Sequence, residues 1–211
     1  MSKNIRVAIT GKMRAGKDTV YLNLENEIQK ALLDLPEGTS YGVKQFAFGD
    51  SLKEKARAKY PSEFENGAKP RRILQEFGQN MRAIKGQDVW VNFVDEKVEA
   101  FESEREVSVS FITDVRQQNE FDYVRNNGYY TIKVVASDDT RINRMKELGD
   151  NFSLEDLTHE TELNIDSYNT DYIITTDDEG IPVQTQAYLI AKDILEKERI
   201  KNTNIIIKKG G

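Results

Sequence analysis

Apolar and polar residues alternate through Ile5-Arg-Val7-Ala-Ile9-Thr10, and after a glycine-containing stretch the apolar positions fall at Val20, Leu24, Ile28, Leu32 and Leu35. The first spacing predicts a strand and the second a helix. Pro36-Glu37-Gly38 ends that helix, and Val43-Lys-Gln-Phe46-Ala-Phe48 predicts a second strand closing at Gly49-Asp50. From Leu52 to Gly67 the chain is polar, with Pro61 as a breaker, and reads as irregular. Pro70 stands where a helix can begin. Its stripe is Ile73, Leu74, Phe77 and Met81, and Arg71, Arg72 and Arg82 make it basic. A further helix is expected from about Gln87 to Glu104, with Val89, Trp90, Phe93, Val94, Val98 and Phe101 inward.

Val107 to Thr113 predicts a third strand that delivers Asp114-Val115-Arg116 at its carboxyl end. A helical stretch ending at Asn126-Asn127-Gly128 leads to a fourth strand, Tyr130 to Val135. Ser137 is placed to cap a helix carrying Arg141 and Arg144; a polar, acidic segment from Asn151 to Asn169 follows. Tyr172 to Thr176 is a fifth short strand, and a last helix runs from about Gln184 to Arg199. Strands alternating with helices predict an α/β fold, a five-stranded, mostly parallel sheet with helices on both faces and ligands at the strands' carboxyl ends. The residues after the first strand, Asp50, Asp114 to Arg116, and Thr175-Thr176 all fall at such ends.

At 211 residues the chain is expected to form one domain. It has no cysteine, which excludes a disulfide framework and a thiolate metal site and fits a reducing cytosol. No apolar run approaches the roughly 18 residues of a membrane span. A soluble, cytoplasmic protein is expected. The net charge of −6 argues against general affinity for polymeric nucleic acid, so a phosphate-bearing partner is expected to be a small molecule.

Gly11-Lys-Met-Arg-Ala-Gly16-Lys17-Asp18-Thr19 lies between the first strand and the first helix. That is the order a phosphate-binding P-loop requires: glycines let the backbone turn its N–H groups toward phosphate, Lys17 neutralises the β- and γ-phosphates, and the helix dipole adds to both. The Ser or Thr that usually follows the lysine and ligates Mg²⁺ is replaced by Asp18, with Thr19 one residue late. Phosphoryl transfer also needs a metal and an aligned acceptor. Asp18 and Asp114 are the candidate metal ligands, although a strand-end aspartate also caps helices. Arg116 is suited to hold an acceptor phosphate through two hydrogen bonds. Arg141 and Arg144, at i, i+3 spacing, read either as a transition-state clamp beside a lid or as solvated surface arginines. Trp90 reads as core or as a base-stacking platform, and the single histidine, His159, lacks a paired nucleophile.

Several segments together resemble the bacteriophage deoxynucleoside monophosphate kinases: the P-loop with its Gly-Lys-Asp-Thr, Arg71-Arg72-Ile-Leu-Gln75-Glu-Phe-Gly78, Asp88-Val-Trp90-Val91, Asp114-Val-Arg116-Gln117, Thr158-His159-Glu-Thr-Glu162 and Asp171-Tyr-Ile-Ile-Thr-Thr. The likeness covers about residues 5 to 198. It implies a three-layer P-loop NTPase fold in one domain, with an acceptor-binding helical insertion at about 52–105 and a lid-like segment at about 137–170. The implied reaction is transfer of the ATP γ-phosphoryl group to a dNMP, with Mg²⁺, giving dNDP and ADP. Carried over, Gly11, Arg14, Ala15, Gly16, Lys17, Asp18 and Thr19 would hold ATP, with Arg141 and Arg144 as lid arginines. Asp50, Lys53, Arg72, Gly78, Gln79, Trp90, Asp114 and Arg116 would surround the acceptor. Lys17, Asp114, Arg116 and Arg141 would be catalytic. A phage-encoded enzyme of this kind would work in the host cytoplasm, and a homodimer is compatible with the sequence. A P-loop kinase of another small metabolite, of dephospho-coenzyme A or phosphomevalonate type, and an ATPase without acceptor are the alternatives.

Overall fold

The computed structural model describes residues 2–67, 70–149, 160–177 and 180–200. His159, much of the acidic segment before it and the C-terminal tail lie outside the described residues. Five strands, β1 (Lys3–Gly11), β2 (Tyr41–Phe46), β3 (Val107–Val115), β4 (Tyr130–Val135) and β5 (Tyr172–Thr175), form one sheet in the order β2-β3-β1-β4-β5. Every neighbouring pair is parallel. The sheet therefore needs helices on both faces, as the alternation of elements predicts. The chain fills one side of β1 with β3 and β2 before turning to β4 and β5. The end of β1 is thus the topological switch point, where strand order opens a crevice.

On one face Ile5, Val7 and Ile9 of β1 join Val109, Phe111, Ile132 and Val134 against α1 (Lys17–Leu32) and the last described helix, Val183–Lys197. Val20, Leu24 and Ile28 of α1 are fully buried there. The other face, with Ala8, Phe46 and Ile112, is covered by α2 (Phe48–Lys59), α3 (Arg71–Lys85), α4 (Val89–Ser103) and α5 (Gln118–Asn126). Helix α6 (Asp138–Glu147) is capped by Ser137, whose hydroxyl oxygen accepts the Thr140 N–H as its position in the sequence predicts. Helix α7 (Glu160–Ser167) leads to β5, and the last helix becomes α8.

Two departures from the sequence reading matter for the site. The stretch from Leu52 to Gly67 is ordered into α2 and a 3₁₀ segment, Pro61–Gly67. Helix α2 buries only Phe48, Ser51 and Ala56, a stripe too thin to announce itself among lysines and glutamates. Strand β2 stops at Phe46, two residues early, because Phe48 already opens that helix. In addition, the β1–β3 register slips between Ala8 and Thr10, so that Thr113 and Asp114 together oppose Ile9. A bulge re-aims the side chains around it. Here it sits immediately before the Asp114-Val115-Arg116 turn.

Candidate active site

The P-loop is held from behind by side chains on its carbonyls. The guanidinium of Arg141 donates through Nε to Met13 O at 2.8 Å, Arg144 Nη1 donates to Arg14 O at 3.2 Å, and Thr176 Oγ1 donates to Ala15 O at 2.6 Å. Arg144 also bonds Thr176 Oγ1 at 2.9 Å, so α6 and the end of β5 grip the loop as one unit. The Lys17 ammonium donates to Gly11 O at 2.7 Å and Lys12 O at 3.0 Å. With its carbonyls engaged in this way, the loop offers amides to a ligand, and the first turn of α1 adds its own.

Glycine is required at both ends of the loop. A Cβ on Gly11 would stand 2.5 Å from Val134 O, which no side chain tolerates. Gly16 caps α1 at φ 94, a left-handed conformation that only glycine adopts readily. Arg14 holds φ 60 without that freedom, a strain of order 1 kcal/mol that the bond from Arg144 to its carbonyl helps to maintain.

A cleft of about 1300 Å³ runs along the carboxyl ends of the strands with the P-loop at its middle. Arg14, Gly16, Lys17, Asp18 and Thr19 line the centre. One end is walled by Arg144, Leu148, Thr176, Asp177 and Ile181. Leu148 and Ile181 are 63% and 60% exposed there, an apolar pair open to a flat ring. The other end is walled by Phe48, Asp50, Lys53, Arg82, Trp90, Asp114, Arg116, Gln117 and Glu120. The sequence reading of a site shared by four strand ends thus meets a single continuous cleft.

At that second end Asp114 accepts the N–H groups of Phe48 at 2.8 Å and Gly49 at 2.9 Å, one on each carboxylate oxygen. It caps α2, a helix distant in sequence. Burial pushes its pKa above the ordinary carboxylate range, against the pull of these two amides and of Arg116. Glu120, 5% exposed, accepts the N–H groups of Arg116 at 2.8 Å and Gln117 at 3.0 Å through one oxygen and so fixes the Arg116 turn. Burial pushes it up to about 7, with Asp114 adding to the rise and Arg82 opposing it. Tyr168 donates its hydroxyl to Arg116 O at 3.0 Å, closing the turn from the α7 side.

Of the residues carried over from the sequence, Arg14, Gly16, Lys17, Asp18, Thr19, Asp50, Lys53, Trp90, Asp114, Arg116 and Arg144 line this cleft. Gly11 and Ala15 shape the loop from within. Arg141 is 2% exposed and lies behind the loop, bonded to Met13 O and to Asp138 Oδ1 at 2.8 Å, away from the cleft wall. Arg72 points to solvent, its side chain 89% exposed and paired with Glu76 at 2.7 Å. Gln79 is exposed and Gly78 packs under Leu52, where a Cβ would come within 2.7 Å of Leu52 Cδ1; neither lines the cleft. Sequence reasoning missed Glu120 and Arg82 as cleft residues. The signals were Glu120 three residues after Gln117, a capping box, and Arg82 one helical turn beyond Gly78 on the same face.

As to a metal, the exposed Asp18 carboxylate and neighbouring Thr19 stand at the mouth of the loop, which suits a Mg²⁺ ion carried on nucleotide phosphates and needing one or two protein oxygens. Both oxygens of Asp114 already serve α2. Among the described residues no group of three or more carboxylate, histidine or cysteine side chains is placed to hold an ion without a substrate. Among them, too, no helix is long and apolar enough to cross a membrane.

No protein-family model and no curated protein sequence matches the chain. Solved structures do. TT1252 from Thermus thermophilus is 18% identical, with a TM-score of 0.52 over 93% of this chain and 98% of its own. The APS kinase of Mycobacterium tuberculosis, in complex with AMPPNP and APS, is 16% identical, with a TM-score of 0.48 over 93% and 99%. The shikimate kinase of Bacteroides thetaiotaomicron is 14% identical, with a TM-score of 0.47 over 91% and 98%. At 18% identity the likeness to TT1252 is one of fold.

Proposed function

We propose that the chain is an ATP-dependent kinase that transfers the γ-phosphoryl group to the 5′-phosphate of a deoxynucleoside monophosphate. The observation that carries this reading is the continuity of the cleft. A phosphate-binding loop stands at its centre, an apolar end lies on one side, and an end bearing Arg82 and Arg116 lies on the other. Two ligands that must meet over one loop fit such a cleft. Hydrolysis without an acceptor has no use for the second end.

In this reading the donor's phosphates lie on the loop amides, and the Lys17 ammonium exchanges the carbonyls of Gly11 and Lys12 for phosphate oxygens. Its base lies between Leu148 and Ile181, where apolar surface is exposed on both sides. Arg116 pairs with the acceptor phosphate, held in place by Glu120 beneath its backbone. Arg141 and Arg144 act through the loop they brace. Asp114 fixes α2 and with it the acceptor wall that carries Asp50 and Lys53. Asp18 and Thr19 would hold a Mg²⁺ ion on the phosphates, and that ion would help to neutralise their negative charge. The acceptor phosphate is already a nucleophile at neutral pH, so the protein contributes alignment and charge neutralisation. Sequence resemblance supplies the choice of dNMP among small acceptors. Coupled measurement of ADP release with ATP, Mg²⁺ and each dNMP in turn tests it; turnover with dephospho-coenzyme A or phosphomevalonate and with no dNMP would replace it.

A further inference from the structure

Three arginines elsewhere in the fold are satisfied by the protein itself. Arg6 forks onto Glu102, Arg125 onto Asp171, and Arg144 bonds the Thr176 and Arg14 carbonyl and hydroxyl oxygens. Arg82 differs. It lines the acceptor end of the cleft, yet among the described residues its side chain makes no hydrogen bond or ion pair, and its Nε is sealed from water without an acceptor. Its charge is felt by the Glu120 carboxyl, with which no ion pair is formed.

A second orphan lies on the same wall. The indole Nε1 of Trp90 is buried without an acceptor, on a residue 2% exposed that also lines the cleft. These two donors come from α3 and α4, and the turn between the helices is pinned to the start of α5 by Asn119 Nδ2, which donates to Asp88 Oδ1 at 2.9 Å and Gln87 O at 3.3 Å. That clasp draws the α3–α4 wall toward the Arg116 turn. Buried donors without acceptors are costly, and both of these belong to residues that line one wall of the cleft.

We propose that Arg82 is a second guanidinium for the acceptor's phosphate, lining the same end of the cleft as Arg116; this rests on the assignment of that end to the acceptor. A planar guanidinium matches a phosphate through paired N–H groups. Burial pushes Glu120 up to about 7, which weakens its opposition to a dianion near neutral pH.

The test is steady-state kinetics of Arg82→Ala and Arg82→Lys against both substrates. The proposal expects the acceptor KM to rise roughly tenfold to a hundredfold in Arg82→Ala, with partial rescue in Arg82→Lys and an ATP KM within twofold of the parent. An acceptor KM within twofold of the parent overturns it. An arm that does not depend on the acceptor's identity uses inorganic phosphate and protein saturated with ADP and Mg²⁺, read by ³¹P line broadening. Broadening in the parent that is lost in Arg82→Ala supports the site. Equal broadening in both, or none in the parent, overturns it. If the parent turns over no dNMP, the choice of substrate falls, and the phosphate arm decides the role of Arg82 by itself.

Discussion

Asp114 and Gly49 meet at 2.9 Å, carboxylate oxygen to backbone N–H, across 65 residues of sequence. The contact joins the last turn of β3 to the first turn of α2, and a Cβ at position 49 would stand 3.2 Å from the same oxygen. Asp114→Asn keeps one accepting oxygen and turns an NH₂ toward the other amide, leaving a buried donor unmatched. Urea unfolding is expected to show a loss of about 1–3 kcal/mol. The acceptor KM should rise with it, since the wall carrying Asp50 and Lys53 is what loosens.

Glu120 sets a pH dependence of stability. Its pKa rises on folding from near 4.5 to about 7, chiefly through burial, with Asp114 strengthening and Arg82 weakening the shift and the Tyr168 phenol as a further titratable neighbour. The native state therefore holds this proton more tightly than the unfolded chain. The stabilisation is complete below about pH 4.5 and is lost as pH climbs through 7, a decline of up to roughly 3 kcal/mol. Glu120→Gln retains an oxygen for the amides of Arg116 and Gln117 and should flatten that decline. A residual slope of the same sign is expected from Asp114, which shifts in the same direction. Denaturation midpoints between pH 5 and 8 for the two proteins read this out.

Arg141 and Arg72 should behave oppositely. Truncating Arg141 to Ala removes its bond to Met13 O behind the P-loop. A loss of about 2 kcal/mol in stability and a raised ATP KM are expected. Arg72→Ala removes an exposed pair with Glu76 and should leave both the melting temperature and the acceptor KM unchanged.

Asp18→Ser restores the hydroxyl usual at this position of a P-loop while removing the carboxylate at its mouth. The Mg²⁺ concentration giving half-maximal rate is expected to rise about threefold or more, because a neutral oxygen holds a hard divalent cation less firmly. Titration of the rate with Mg²⁺ at saturating ATP measures it.

The sheet and the loop were legible because strand and helix periods differ sharply around Gly11 to Thr19, and because β3 delivers its polar turn at a strand end. Helix α2 was not, since a buried face of Phe48, Ser51 and Ala56 carries too little apolar weight to mark a period. At single residues the sequence marks chemistry better than direction. Arg141 and Arg144 share a helix face, yet Arg144 lines the cleft and Arg141 turns behind the loop. Arg72 and Arg82, ten positions apart on α3, end respectively in solvent and in the cleft. Such differences follow from which helix packs where, and that depends on long-range contacts such as the Asn119–Asp88 clasp.

The most direct test of the central claim is product analysis by mass spectrometry after incubation with γ-¹⁸O-labelled ATP, Mg²⁺ and each dNMP separately. The account predicts that the labelled phosphoryl group appears on a dNDP in stoichiometric balance with ADP, and that Lys17→Ala abolishes it. ADP accompanied only by labelled inorganic phosphate, with every dNMP recovered unchanged, would contradict it.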